Sequence, residues 1–324
     1  MANKILVERL SASVGEISTS VAVLGLQPMS TDDMHMRSQR FLSLIGEREQ
    51  IALDRYDWQR RDDHSLLHLA DGARAVMYHA SGATKYVSGL KPFDNLFEKM
   101  PDQESLVRAV QDAAQRLAIS EWAGPGGELK FEKLFRSTAQ GMDRNGRLSQ
   151  EVLCRIIGAY RHYVEGIPVL GAAGVALKLG GDGSLDSMSL QVRPSGATTI
   201  EKARVLDPQL AATQINAELA SRLGVPVDGI ATELIEQMSM QYGYLNLGKR
   251  KAQRVLAPAF MAQVVLRHKE ERQAYTIAVP ATEKSYLPVC QCGRESLPTA
   301  SRLTAATTPT STVTPTRLAA TRKR

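Results

Sequence analysis

Three cysteines in 324 residues are too few, and odd in number, to frame a disulfide scaffold. Cys154 stands in an apolar alternating run, where a small core residue is expected. Cys290-Gln291-Cys292 has no second ligand pair at zinc spacing, so no metal is expected there. No stretch reaches the ~18–20 apolar residues of a membrane-spanning helix. The N-terminus sets Glu8 and Arg9 where a signal peptide needs an unbroken apolar core, so a cytoplasmic location without a membrane span is expected. Also missing are a phosphate loop closing on Gly-Lys-Ser/Thr, a His-Glu-x-x-His metalloprotease helix and a serine in a nucleophile elbow. These absences exclude the common signatures of nucleotide, zinc-hydrolase and acyl-transfer chemistry. No cofactor is expected.

What the chain does have is alternation. Between Glu151 and Pro194 one apolar run leads through Glu165-Gly166 into a second, Val175 to Leu179, which ends at Gly180-Gly181-Asp182-Gly183-Ser184; a third follows from Leu185. Apolar residues at every second position on both sides of a Gly/Asp turn predict a β-meander. A second meander is expected over 66–87, turning at Asp71-Gly72 and Ser81-Gly82. Asp102 opens a helix through Leu117, a strand follows over 128–140, and Asp143-Arg144-Asn145-Gly146 reads as a turn. After Pro194 comes a helix from Asp207-Pro208 to Leu223, a strand over 232–244, and a hairpin over 259–279. The order helix, strand, hairpin thus occurs twice, which suggests internal duplication. Upstream, a helical stripe fits Ile5 to Leu24, and a charged helix is expected over 34–58 with a break at Gly46.

Charge is unevenly placed. From Arg294 onward six basic residues face Glu295 alone, so five of the six net positive charges fall in a Thr/Ala/Ser/Pro tail. Such a tail cannot bury enough apolar surface to offset its ordering entropy and is expected to be disordered.

Candidate chemistry is sparse. His64 and His68 are four apart, but along a strand that is ~13 Å, too far to share one ion. His79, His162 and His268 have no nucleophile beside them, and the acid pairs Asp32/Asp33, Asp62/Asp63 and Glu270/Glu271 point to opposite sides of any regular element. Asp143 to Gly146 lacks the later ligands of a calcium loop. Lys249, Arg250, Lys251 and Arg254, near Tyr242 and Tyr244, are the one basic cluster before the tail and offer a nucleic-acid reading.

A helix, then a strand ending in Tyr163-Val164-Glu165-Gly166-Ile167-Pro168-Val169, then a hairpin with Asp182-Gly183 at its tip, resembles the PepSY-like repeats related to the propeptide module of fungalysin and thermolysin-type proteases. Val255-Leu256-Ala257-Pro258-Ala259-Phe260 is similar to the strand start of a second, tandem member. The resemblance spans 102–280. It implies small α+β units that bind or restrain a partner, often a protease, and no catalytic residue. Such modules are usually exported, and no protease follows this one in cis.

The expected fold is α+β: antiparallel β-meanders with helices on one face, internally duplicated, with a disordered C-terminal tail. The expected segments are an N-terminal region 1–101, repeats 102–196 and 197–293, and a tail 294–324. The expected function is a non-catalytic, protein-binding or regulatory module acting through Glu165, Gly166, Ile167, Pro168, Asp182 and Gly183. The alternatives are nucleic-acid association through Lys249, Arg250, Lys251 and Arg254, and an enzyme with a pocket around His79 or His162.

Overall fold

The computed structural model of the chain describes residues 3–27, 29–50, 56–69, 72–193, 198–268 and 271–287. Asp71, Pro194, Lys269, Glu270, the Cys290/Cys292 pair and the tail 294–324 lie outside the described residues.

The stripe read as one helix over Ile5 to Leu24 is two elements. Helix α1 (Lys4–Ala12) starts under an Asn3 side chain that accepts the Leu6 N–H and stops at Ser13. Strand β1 (Ser20–Gly25) follows. Gly15 and the Ser18-Thr19-Ser20 run cannot sustain helix, while Val21 and Val23 favour extended backbone. Helix α2 (Thr31–Glu49) opens with a reciprocal capping box between Ser30 and Asp33. It runs straight through Gly46, which is buried on its core face, and ends at a left-handed Gln50. The expected helix to residue 58 is corrected here: β2 (Tyr56–Arg60) pairs antiparallel with β3 (His64–Leu69).

The two meanders form as the alternation dictates. The first is completed by β4 (Arg74–Tyr78) and β5 (Ala83–Val87). Helix α3 (Gln103–Arg116) is capped by Asp102, whose carboxylate accepts the Ser105 N–H at 2.8 Å. After a 3-10 turn at Ile119–Ala123 come β6 (Gly127–Ala139), β7 (Val152–Val164), β8 (Ile167–Leu170), β9 (Gly174–Leu179) and β10 (Leu185–Leu190). Strand β11 (Thr198–Arg204), which the sequence reading lacked, pairs with β1. Helix α4 (Pro208–Leu223) has Asp207 as cap and proline in its first turn. Strands β12 (Ile235–Leu245), β13 (Val255–Leu256), β14 (Pro258–His268) and β15 (Glu271–Pro280) complete the chain.

The fold is α+β. Twelve strands form one sheet in the order β15-β14-β12-β8-β7-β9-β10-β5-β4-β3-β2, with β6 on the other side of β7; β11-β1-β13 form a small second sheet. All pairings in the large sheet are antiparallel except β8 with β12. Two main cores lie under its helices. One joins Phe41 and Ile45 of α2 and Leu106 and Val110 of α3 to Met77, Tyr86, Ile156, Leu177 and Met188. The other joins Leu6 and Leu10 of α1 and Ile215 and Leu219 of α4 to Met240, Tyr244, Phe260 and Ile277. Residues 1–101 are therefore shared out: α1 and β1 pack with segment 197–293, while α2 and β3 to β5 share sheet and core with segment 102–196.

Helices α3 and α4 each lie over strands of the large sheet. In one segment α3 packs on β7 and β9 of the row β6-β7-β9; in the other α4 packs on β14 and β15 of the row β12-β14-β15. Each helix is followed by a 3-10 turn that leads into the first strand of its row.

Candidate functional site

Strands β7 and β12 touch only through β8. That short strand leaves β7 by the Glu165-Gly166 turn, whose residues have φ of +52° and +77°, the left-handed pair of a tight two-residue hairpin. It pairs for two residues with β7, at Tyr163 and Val164, and then for two residues, in parallel, with Tyr244 and Leu245 of β12. Beyond that bridge β7 and β12 diverge. The gap is a groove of about 430 Å³, with Gly166, Ile167 and Pro168 at one end, Arg161 and Tyr163 on one wall, Met240 to Tyr242 on the other, and the 13–18 loop as the third side.

The wall made by β12 is a strand edge. The Leu245 N–H goes to Ala257, away from the groove, whereas the Met240 N–H reaches the Ser13 hydroxyl at 2.7 Å on the groove side. Backbone direction alternates along a strand, so the N–H and C=O of Tyr242 also face the groove. Opposite, Arg161 is fixed by Glu132 at 2.8 Å, and Lys130 lies 4.8 Å from the centre of the Tyr163 ring. The Tyr242 hydroxyl is buried with no hydrogen-bond partner among the described residues, and burial pushes its pKa up to about 12. The wall is thus neutral and apolar on the β12 side and zwitterionic on the β7 side.

Of the residues picked from the sequence, Gly166, Ile167 and Pro168 line this groove, and Glu165 forms its turn. Asp182 and Gly183 lie elsewhere. The β9–β10 turn follows Leu179, which pairs with Ile156, eight residues and ~26 Å along β7 from Val164. Its polar groups are used internally: the Asp182 carboxylate accepts from Asn95 at 2.7 Å and from the Ser184 N–H and hydroxyl, and the Gly183 carbonyl accepts from Arg116. Burial works against the Asp182 charge, but those bonds outweigh it and hold the carboxyl below its ordinary range.

Lys249, Arg250, Lys251 and Arg254 are exposed on the loop after β12. The aromatic partner differs from the expected one. Tyr244 is fully buried and its hydroxyl donates to the Ala22 carbonyl, so it cannot stack; instead Lys249 stands 4.6 Å from the centre of the Tyr78 ring. Arg250 pairs with Asp63 at 3.2 Å, and the Lys251 carbonyl accepts from Arg193.

The histidines have local partners. His162 is buried with Nε2 3.1 Å from the Ala123 carbonyl, and burial holds its pKa below the ordinary value. His79 Nε2 lies 2.8 Å from the Ser65 hydroxyl, and neither histidine lines the groove. His64 pairs with Asp63. Asp143 accepts from the N–H groups of Asn145 and Arg147, as a turn aspartate does. Among the described residues no cluster of three or more His, Cys, Asp or Glu could hold a metal ion, and Cys154 is a buried free thiol. Arg161, Tyr163, Glu132, Met240, Tyr242 and the 13–18 loop were missed by sequence reasoning, because pairings across ~75 residues bring them together and no local signal marks them.

No family model matches the chain, and no curated protein matches it. A crystal structure of an uncharacterized protein from Eubacterium rectale superimposes on 84% of this chain and 88% of its own at a TM-score of 0.47 and 9% identity.

Proposed function

We propose that the chain is a non-catalytic binding module that takes an extended segment of a partner protein into the groove between β7 and β12, by strand addition along β12. The observation that carries this is the β12 edge at Tyr242, whose N–H and C=O face the groove instead of another strand, next to Met240, whose own edge N–H is taken by the Ser13 hydroxyl. Strand addition draws affinity from main-chain hydrogen bonds and specificity from pockets for alternate side chains. Ile17, Ile167, Pro168 and Met240 supply apolar contacts, and the Arg161–Glu132 pair offers one charge of each sign at the rim. The likeness to PepSY-like modules makes a protease with an extended surface segment the first partner class to try.

The test is a random linear peptide library selected on the full chain, followed by an N-methyl scan of the best binder. Methylation removes one N–H at a time without altering the protein. Loss of about tenfold or more in affinity at every second position supports strand addition. Loss without that period, or binding unaffected by Gly15→Phe, overturns it; a side chain at Gly15 enters open groove space, since nothing lies within 4 Å of its Cβ position.

A second reading, nucleic-acid association through Lys249, Arg250, Lys251 and Arg254, draws on the exposed Lys249 over Tyr78. It requires affinity that falls steeply with salt and is lost on neutralising Lys249 and Lys251.

A further inference from the structure

Three arginines of this fold are wholly or largely removed from water, and they are not treated alike. Arg155 is 2% exposed and donates to the carbonyls of Asp94, Cys154 and Lys91, with Asp186 beside it. Arg193 is 7% exposed and donates to Asn246 and to the carbonyls of Ala80, Gly248 and Lys251. Those two guanidiniums spend most of their donors inside the protein, the Arg155 Nε alone standing 3.5 Å from Asp186 without a hydrogen bond among the described residues. Arg37, on α2, makes one long contact, from Nη1 to the Gly82 carbonyl at 3.4 Å, and no ion pair among the described residues. Burial pulls its pKa down to about 10, so it stays charged at neutral pH. Most of its five donors have no acceptor among the described residues.

Arg37 faces a cleft of about 450 Å³ whose other members share this excess of donors. Arg40, one helical turn on, makes no hydrogen bond or ion pair among the described residues, and its guanidinium lies 6.0 Å from the Trp122 ring centre; that of Arg37 lies at 5.5 Å. The Trp122 indole N–H is buried and has no acceptor among the described residues. Two carboxylates border the cleft. Asp33 is held by the Ser30 N–H and hydroxyl in the capping box, Glu121 is exposed, and neither forms an ion pair with the arginines among the described residues. Met29, Met36 and Pro125 provide soft apolar walls beside the indole.

We propose that this cleft binds a small ligand carrying an oxyanion, carboxylate or phosphate, on a flat apolar ring: the oxyanion bridges Arg37 and Arg40, and the ring lies between Trp122 and the methionines. The donor set fits an acceptor-only group, since guanidinium recognises carboxylate and phosphate through paired charge-assisted bonds. The volume is that of a small-molecule site. The site is independent of the β12 groove.

The test uses the full chain carrying Trp58→Phe, which leaves Trp122 as its one tryptophan. Fluorescence is titrated with a nucleoside monophosphate, with benzoate, with inorganic phosphate, and with adenosine and benzamide as neutral counterparts. A saturable change with at least one ring-bearing anion, about tenfold weaker with inorganic phosphate and absent with the neutral compounds, supports the proposal. Arg40→Gln, an exposed position, should weaken binding about tenfold with the unfolding midpoint unchanged; Arg37→Gln should do the same or more. In the unaltered chain the Trp122 indole resonances should shift as the ligand ring packs against the indole. No saturable change with any of the anions, equal responses to neutral and anionic ligands, or binding indifferent to both arginine variants overturns it.

Discussion

Gly158→Ala should unsettle the contact between α3 and the large sheet more than its single methyl suggests. Gly158 lies on β7 directly under α3, and a Cβ there would stand 2.0 Å from Cγ1 of Val110 and 3.2 Å from its Cβ and Cγ2. Val110 is fully buried, and its carbonyl accepts from the Tyr160 hydroxyl at 3.3 Å, so helix and strand are tied at this level. The glycine backbone is ordinary strand, and by propensity alone alanine would be preferred there by roughly 0.5–1 kcal/mol. The clash acts the other way. A β-branched valine has few rotamers with which to yield, so the helix must lift, and overpacking of this kind costs about 1–3 kcal/mol. We expect a net loss near 2 kcal/mol, a fall in Tm of about 3 °C for a chain of this size. Val110→Ala alone should lose about 2 kcal/mol through the cavity it leaves. In the double variant the new methyl occupies part of that cavity, so the pair should couple favourably by about 1–2 kcal/mol. Urea unfolding of the four proteins measures each corner. A Gly158→Ala protein as stable as its parent, or losses that add within about 0.5 kcal/mol, would falsify the notch-and-valine account.

Other residues give shorter tests. Glu165 carries φ +52° in the groove-forming turn, a conformation asparagine adopts more readily, so Glu165→Asn should raise stability by about 0.5–1 kcal/mol, read as a higher Tm. Arg193→Met should lose about 3 kcal/mol, because three carbonyls and the Asn246 side chain lose their donor, and hydrogen exchange should show the 246–251 loop opening first. His162 is held neutral by burial, so its folded pKa lies below the unfolded value of about 6.5. Its stabilising contribution is therefore complete above that value and is lost as pH falls through it, by up to about 1.4 kcal/mol at pH 5.5. His162→Gln should flatten the dependence between pH 7 and 5.5, and an unchanged slope would refute the assignment.

How much of this was legible follows from the range of each interaction. The β9–β10 hairpin, the α3 and α4 caps and the Asp143 turn are local: Gly183, Asp102, Asp207 and Gly146 declare them within four residues. Where two patterns overlap, the reading failed. The apolar spacing over Val14 to Leu24 suits a helix as well as a strand, and only the pairing of β1 with β11 and β13 decides it. The same holds for β2, read as the end of α2 until β3 pairs with it. The groove is the extreme case. Gly166-Ile167-Pro168 stood out as part of a strand end, but its facing wall depends on two parallel pairs between β8 and β12, a contact that no local propensity encodes. The cleft over Trp122 was hidden too, because Arg37 and Arg40 look in sequence like the solvated face of a charged helix.

The choice of the β12 edge over that of β6 rests on how each is defended. Strand β6 also pairs on one side only, and at 13 residues it is the longer template. Its sequence carries Lys130, Lys133 and Arg136, and its register shifts between Phe131 and Lys133 and again between Ser137 and Thr138. Charges and bulges of this kind are how sheets prevent a further strand from docking. The inner edge of β12 has neither device where it meets the groove: Met240, Gln241 and Tyr242 are uncharged, and their pairing with β14 runs without a shift. Of these two edges β6 is defended and β12 is not, and at β12, roofed by a loop and floored by a proline, an incoming strand must satisfy side-chain contacts as well as hydrogen bonds. Placing a lysine at Gln241 should therefore weaken a selected peptide by about tenfold or more without lowering Tm, whereas Arg136→Thr should leave peptide affinity unchanged and raise self-association, measured by sedimentation. The reverse pattern would move the binding edge to β6.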